Sequence, residues 1–71
     1  METVRVECHS EYSYAQRPAA IWWQGRRQEV ESVESEWRTP RGKAFRVRTR
    51  SGSRFELLYA ELEDSWQAEI I

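Results

Sequence analysis

The chain holds three glycines, Gly25, Gly42 and Gly52, and each separates two segments rich in Val, Ile, Thr or aromatic residues. Glycine between such segments reads as a hairpin turn, because it enters left-handed backbone without steric cost. Residues two apart share a face of a strand, so a correct set of turns must also keep side-chain parity consistent from strand to strand. In residues 43–50, Phe45, Val47 and Thr49 share one face while Ala44, Arg46, Arg48 and Arg50 share the other. Phe55, Leu57 and Tyr59 make the next apolar face. A two-residue Ser51-Gly52 turn would set Arg48 against Phe55 and Arg46 against Leu57, placing arginines in the core. A three-residue Arg50-Ser51-Gly52 loop, with Gly52 as the left-handed residue of a bulge, pairs Val47 with Phe55 and Phe45 with Leu57 and closes the apolar face.

The same construction at Thr39-Pro40-Arg41-Gly42-Lys43 predicts that Trp37 faces Phe45. At Trp23-Gln24-Gly25-Arg26 a two-residue turn gives the better parity, pairing Ile21 with Gln28 and Ala19 with Val30. Val30 and Val33 differ in parity, so a strand continuing to Trp37 needs a bulge at Glu31-Ser32. A loop about residues 61–64 returns the chain with Trp66, Ala68 and Ile70 facing Tyr59, Leu57 and Phe55. Upstream, Val4, Val6 and Cys8 alternate with Thr3, Arg5 and Glu7 as one further strand, followed by a Tyr-rich loop ending at Arg17-Pro18.

These turns predict an all-β fold: a five- to six-stranded antiparallel meander rolled into a small barrel-like sheet, one domain spanning residues 1–71. A flat sheet of this size would leave one face of aromatics in water. The expected core is Ile21, Trp23, Val30, Trp37, Phe45, Val47, Phe55, Leu57, Tyr59 and Trp66. Two stretches also fit helical spacing: Val30, Val33 and Trp37, and a capping box at Ser53-Arg-Phe-Glu56 leading into Leu58, Leu62 and Trp66.

At 71 residues the chain is near the lower limit for a core without covalent staples. Its one cysteine, Cys8, excludes an internal disulfide, and with His9 as the only histidine no Cys/His zinc site forms within one chain. Packing must supply the staples. Four Trp, three Tyr and two Phe are suited to this, each able to bury roughly 150–250 Å². The longest apolar run, residues 19–23, is far too short to span a membrane, and the opening residues do not resemble a signal peptide. The expectation is a soluble cytoplasmic protein that needs no cofactor or metal. Cys8 shares parity with Val4 and Val6 and reads as a buried structural thiol. The adjacent Cys8 and His9 would point to opposite faces, and no nucleophile–base pair is visible, so an enzyme is not expected.

The net charge is −1, but the signs are segregated. Residues 1–37 hold four Arg and seven Glu, and residues 55–71 hold five acids and no base. Between them Arg38, Arg41, Lys43, Arg46, Arg48, Arg50 and Arg54 form an island of seven cations with no acid. The expected register sets Arg46 opposite Glu56 and Arg48 opposite Arg54. Like charges directly across strands are unfavourable unless an anion or a neighbouring acid relieves them. Two readings follow. Phosphate could be the anion, in which case Arg41, Lys43, Arg46, Arg48, Arg50 and Arg54 form a nucleic-acid-binding face, with an outward Trp22 beside it to stack on a base. Alternatively Glu31, Glu34 or the carboxyl-terminal acids neutralise the island. Trp22 would then be covered by the amino-terminal strand or the Tyr-rich loop, or anchor a protein partner. Tyr12 and Tyr14 have the same two possible roles, as core cover or contact surface.

Several of these residues recur in a known pattern. Glu7-Cys8-x-Ser10-x-Tyr12-x-Tyr14, Arg17-Pro18-x-x-Ile21-x-Trp23-x-Gly25-Arg26, Trp37-Arg38, Phe45-x-Val47-x-Thr49-x-x-Gly52-x-x-Phe55-Glu56-Leu57-x-Tyr59 and Trp66 together resemble a family of small bacterial proteins classed as a domain of unknown function. The chain departs from that pattern at Ile21 and Gln28, where an aromatic is common. The resemblance covers nearly the whole chain and implies an all-β cytoplasmic protein, in some bacteria encoded near error-prone DNA polymerases and other repair genes. It implies no catalytic residues. The functional expectation is therefore an accessory module associated with nucleic acid or with a repair or replication protein. Its alternative is a protein-interaction module that docks onto a larger enzyme without binding nucleic acid.

Overall fold

The computed structural model describes residues 1–9 and 17–71, apart from the side chain of His9. Six strands follow in order: β1 (Glu2–His9), β2 (Arg17–Trp23), β3 (Arg26–Thr39), β4 (Gly42–Thr49), β5 (Arg54–Ala60) and β6 (Ser65–Ile70). Every neighbouring pair is antiparallel, and β1 closes on β6 to complete a barrel. Both stretches with helical spacing are extended or turn, because the barrel needs their apolar residues on a two-residue period.

The turns set the register. Gln24 and Gly25 both have positive φ, 50° and 80°, the mirror-image turn whose twist matches a two-residue hairpin. It pairs Trp23 with Arg26 and Ile21 with Gln28. The next hairpin uses the three-residue loop 50–52, with Gly52 at φ 91° and its N–H donating to the Thr49 carbonyl at 3.0 Å. Val47 thus meets Phe55, Phe45 meets Leu57, and Arg48 stands opposite Arg54. Across β5 and β6, Phe55, Leu57 and Tyr59 pair with Ile70, Ala68 and Trp66.

The turn between β3 and β4 corrects one expectation. Thr39 pairs with Gly42, leaving Pro40 and Arg41 as a two-residue turn, so Trp37 pairs with Ala44 rather than Phe45. Thr39 builds this turn itself, its hydroxyl accepting from the N–H groups of Arg41 and Gly42, each at 3.2 Å. Losing one loop residue reverses the parity of Trp37, which lies on the outer face, 37% exposed, and is not a core residue. β3 restores parity with two bulges. One lies at Glu31, within the expected dipeptide, and a second at Glu34 lets Val33 meet Val47.

Ile21, Phe45, Val47, Phe55, Leu57, Trp66 and Ala68 form the buried core cluster, with Val4, Val6, Cys8, Trp23, Val30, Val33 and Tyr59 half-buried against it. Trp23 meets Phe55 edge-on at 5.1 Å between ring centroids, and Trp66 lies against both Phe45 and Tyr59 at 5.6 and 5.1 Å. Burial pushes the Cys8 thiol above its ordinary pKa.

β1 and β3 each belong to two sheets, one formed with β4, β5 and β6 and the other with β2. The β2–β3 ladder ends at Ala20 and Glu29, one step before the expected Ala19–Val30 pair. Beyond that point residues 30–39 are paired with β4 alone among the described residues. The bulges bend β3 away from β2, and a cleft of about 270 Å³ opens between residues 17–19 and 30–33.

Candidate interaction surface

A meander places consecutive segments side by side, so charge blocks that are separate in sequence become neighbours across the sheet. β4 and its flanking turns carry most of the basic island, with Arg38 at the end of β3 and Arg54 at the start of β5. β3 lies on one side with Glu29, Glu31, Glu34 and Glu36; β5 and the turn after it lie on the other with Glu56, Glu61 and Glu63. Each cation meets a different carboxylate. Arg48 and Arg54 pair with Glu31 and Glu34 at 3.7 and 3.1 Å, Arg50 with Glu29 at 3.1 Å, and Lys43 with Glu36 at 3.7 Å. Arg46 pairs with Glu56 at 3.4 Å, Arg38 with Glu61 at 2.8 Å and Arg41 with Glu63 at 3.5 Å.

The juxtaposed Arg48 and Arg54 are thus relieved from within the protein, by two acids of β3. Exposed pairs of this kind contribute little stability, typically about 0–1 kcal/mol each. Their larger consequence is for the field. A cation with a carboxylate within 4 Å is, beyond a Debye length of roughly 8 Å, close to a neutral dipole. The six predicted binding cations, Arg41, Lys43, Arg46, Arg48, Arg50 and Arg54, do lie together on β4 and its ends, but as a lattice of alternating sign.

Trp22 faces outward, as its parity requires, and is half-buried in a second polar network. Its indole N–H donates to Glu7 at 2.9 Å, and Arg27 grips the same carboxylate through two nitrogens at 3.0 and 3.1 Å. The Arg5 guanidinium lies 5.6 Å from the Trp22 ring centroid. The bonds from Arg27 and then from Trp22 hold the Glu7 carboxyl below its ordinary pKa. Trp22 is therefore occupied from both sides, by residues of β1 that lie next to it in register.

Trp37 is the aromatic that sequence reasoning misplaced. It shares an outward row with Ala44 and Leu58, two apolar residues that are nevertheless buried. Arg38, its neighbour in β3, reaches across to Glu61, and the following residue, Leu62, is fully exposed at the tip of its turn. The signal in sequence was Thr39: a threonine three residues before Gly42 can close a two-residue turn and so reverse the parity of the preceding strand.

Tyr12 and Tyr14 lie outside the described residues. Among the described residues no three His, Cys, Asp or Glu side chains gather to hold a metal ion. No helix is long and apolar enough to cross a membrane. Comparison with protein-family models, curated proteins and solved structures finds no match to this chain.

Proposed function

We propose that this protein is an interaction module that docks onto a larger protein through the outer face of β3–β5, with Trp37 as its aromatic anchor. The observation that carries this reading is the one-for-one pairing of the seven cations of the basic island. Nucleic-acid affinity comes from cations that replace counterions at phosphates. Here each cation already has a carboxylate within 4 Å, which would remain beside a bound phosphate as a like charge. A protein partner faces no such cost, because alternating charges can meet alternating charges. Interfaces typically centre on a large aromatic surrounded by a polar rim. Trp37, with the Arg46–Glu56 pair on the same outer face two residues along the sheet, has that form.

The test compares immobilised parent and Trp37→Ala protein at equal loading in cell extract with and without nuclease treatment. The reading predicts a stoichiometric partner retained by the parent and lost from a variant that dichroism shows to be folded. Retention that is indifferent to Trp37, or that disappears on nuclease treatment, would return the arginine face to consideration as a nucleic-acid surface.

A further inference from the structure

We infer that the cleft between β2 and β3 accepts an extended, acidic peptide segment as an added strand. This site is separate from the Trp37 face and stands or falls independently of it.

Two features coincide in the cleft. Residues 17–19 of β2 pair with β1 alone or run unpaired, and residues 30–39 of β3 pair with β4 alone, so among the described residues both walls present strand edges without a partner. Backbone N–H and C=O groups on such edges are the template for strand addition. The lining also has apolar character. Pro18 is buried, and Val30 and Val33 pack against the core from the floor of the cleft, offering contacts to alternate side chains of an incoming strand. The bulges at Glu31 and Glu34 bend β3 out of line with β2, which holds the cleft open and restricts it to a short segment.

Charge decides which segment. Glu31 on the β3 wall is already neutralised by Arg48. Arg17 on the β2 wall has no carboxylate partner among the described residues, although eight other cations do. Among the described residues the unmatched charge of the cleft is therefore positive. The complementary segment alternates small or β-branched apolar residues, carries an acid to meet Arg17, and lacks proline at positions that must donate.

The probe is a displayed library of random dodecapeptides panned against the full chain, and the selected peptides are then titrated into the isotopically labelled protein. The inference predicts enrichment of alternating apolar sequences containing Asp or Glu. Amide shifts should be confined to residues 17–20 and 29–34, and proline substitution within the selected segment should abolish binding. Arg17→Glu should weaken acidic peptides by about tenfold or more, and Arg17→Ala by less, with the spectrum of either variant otherwise unchanged. Selection of no peptide, selection of basic peptides, or shifts centred on Trp37 and Leu62 would overturn it. Concentration-dependent broadening of the same amides without any peptide would also overturn it, by assigning the edge to a second copy of the chain. The Trp37 reading can fail in extract while these shifts appear, and the reverse is equally possible, so the two outcomes are distinguishable.

Discussion

Phe55→Ala and Trp37→Ala remove comparable aromatic side chains from the same barrel, and the fold requires Phe55→Ala to be clearly the more costly. Phe55 is 1% exposed, packs edge-on against Trp23 and belongs to the core cluster with Val47 and Leu57. Truncating such a side chain removes its transfer free energy and leaves a cavity, together about 3–5 kcal/mol. At about 0.05–0.15 kcal/mol per residue, a chain of 71 residues has roughly 4–11 kcal/mol in total, so Phe55→Ala should lose about a quarter of its stability or more. Trp37 stands on the outer face but is mostly covered, and its removal should cost about 1–2 kcal/mol, mainly by uncovering Ala44 and Leu58. Urea titration followed by far-ultraviolet dichroism measures both, and unchanged slopes would show that the midpoints report stability. A Trp37→Ala variant as damaged as Phe55→Ala would refute the outward placement of Trp37, and with it the two-residue turn at Pro40-Arg41.

Three further outcomes are expected. Gly42→Ala should be far more damaging than Gly25→Ala or Gly52→Ala: a Cβ at Gly42 would lie 1.9 Å from the Tyr59 carbonyl oxygen, whereas the other two sites have open space and incur only left-handed strain of about 1–3 kcal/mol. Thermal melts of the three variants rank them, and equal losses would contradict the close approach of β4 and β5. Because the folded state lowers the pKa of Glu7, its ionised form stabilises the barrel above the ordinary carboxylate pKa near 4.5, and that contribution is lost as pH falls through the folded value. Glu7→Gln should therefore flatten the acid limb of a stability–pH profile, and an unchanged limb would show that the Trp22–Glu7–Arg27 contacts do not persist in solution. Burial of Cys8 should keep its thiol slow towards a disulfide reagent near neutral pH until urea unfolds the chain, and rapid modification of the native protein would place Cys8 at the surface.

Most of the architecture was legible because hairpins are local. The β4–β5 and β5–β6 registers agree with the parity of Phe45, Val47, Phe55, Leu57, Tyr59, Trp66 and Ala68, since a loop one residue shorter or longer puts arginine or glutamate inside. The Gln24-Gly25 turn followed in the same way. Parity failed at Trp37 because two compensating irregularities, a shorter turn and a second bulge at Glu34, leave the rest of the apolar pattern intact. Apolar periodicity cannot distinguish a strand with no irregularity from one with two that cancel. The pairing of the basic island was implicit in the topology: an acid-rich β3 on one side, and Glu56 with the acids of the following turn on the other, neutralise the cations once the strands are adjacent. The cleft was not legible, because where a ladder stops depends on how two sheets diverge, and no single residue of β2 or β3 encodes that.

The central claim is that β3 and β5 cancel the charge of β4, and it can be tested by removing the cancelling acids. A fluorescent DNA duplex is titrated at low salt with the parent and with a variant carrying E29Q, E31Q, E34Q and E36Q, once dichroism shows both folded. The substitutions leave Arg50, Arg48, Arg54 and Lys43 without their partners and raise the net charge by four. The parent should show no saturable binding. The variant should bind, with an affinity that falls with salt at a logarithmic slope of up to about −3.6 for four freed cations. A parent that already binds with such a slope would contradict the account and make the arginine face a nucleic-acid surface after all.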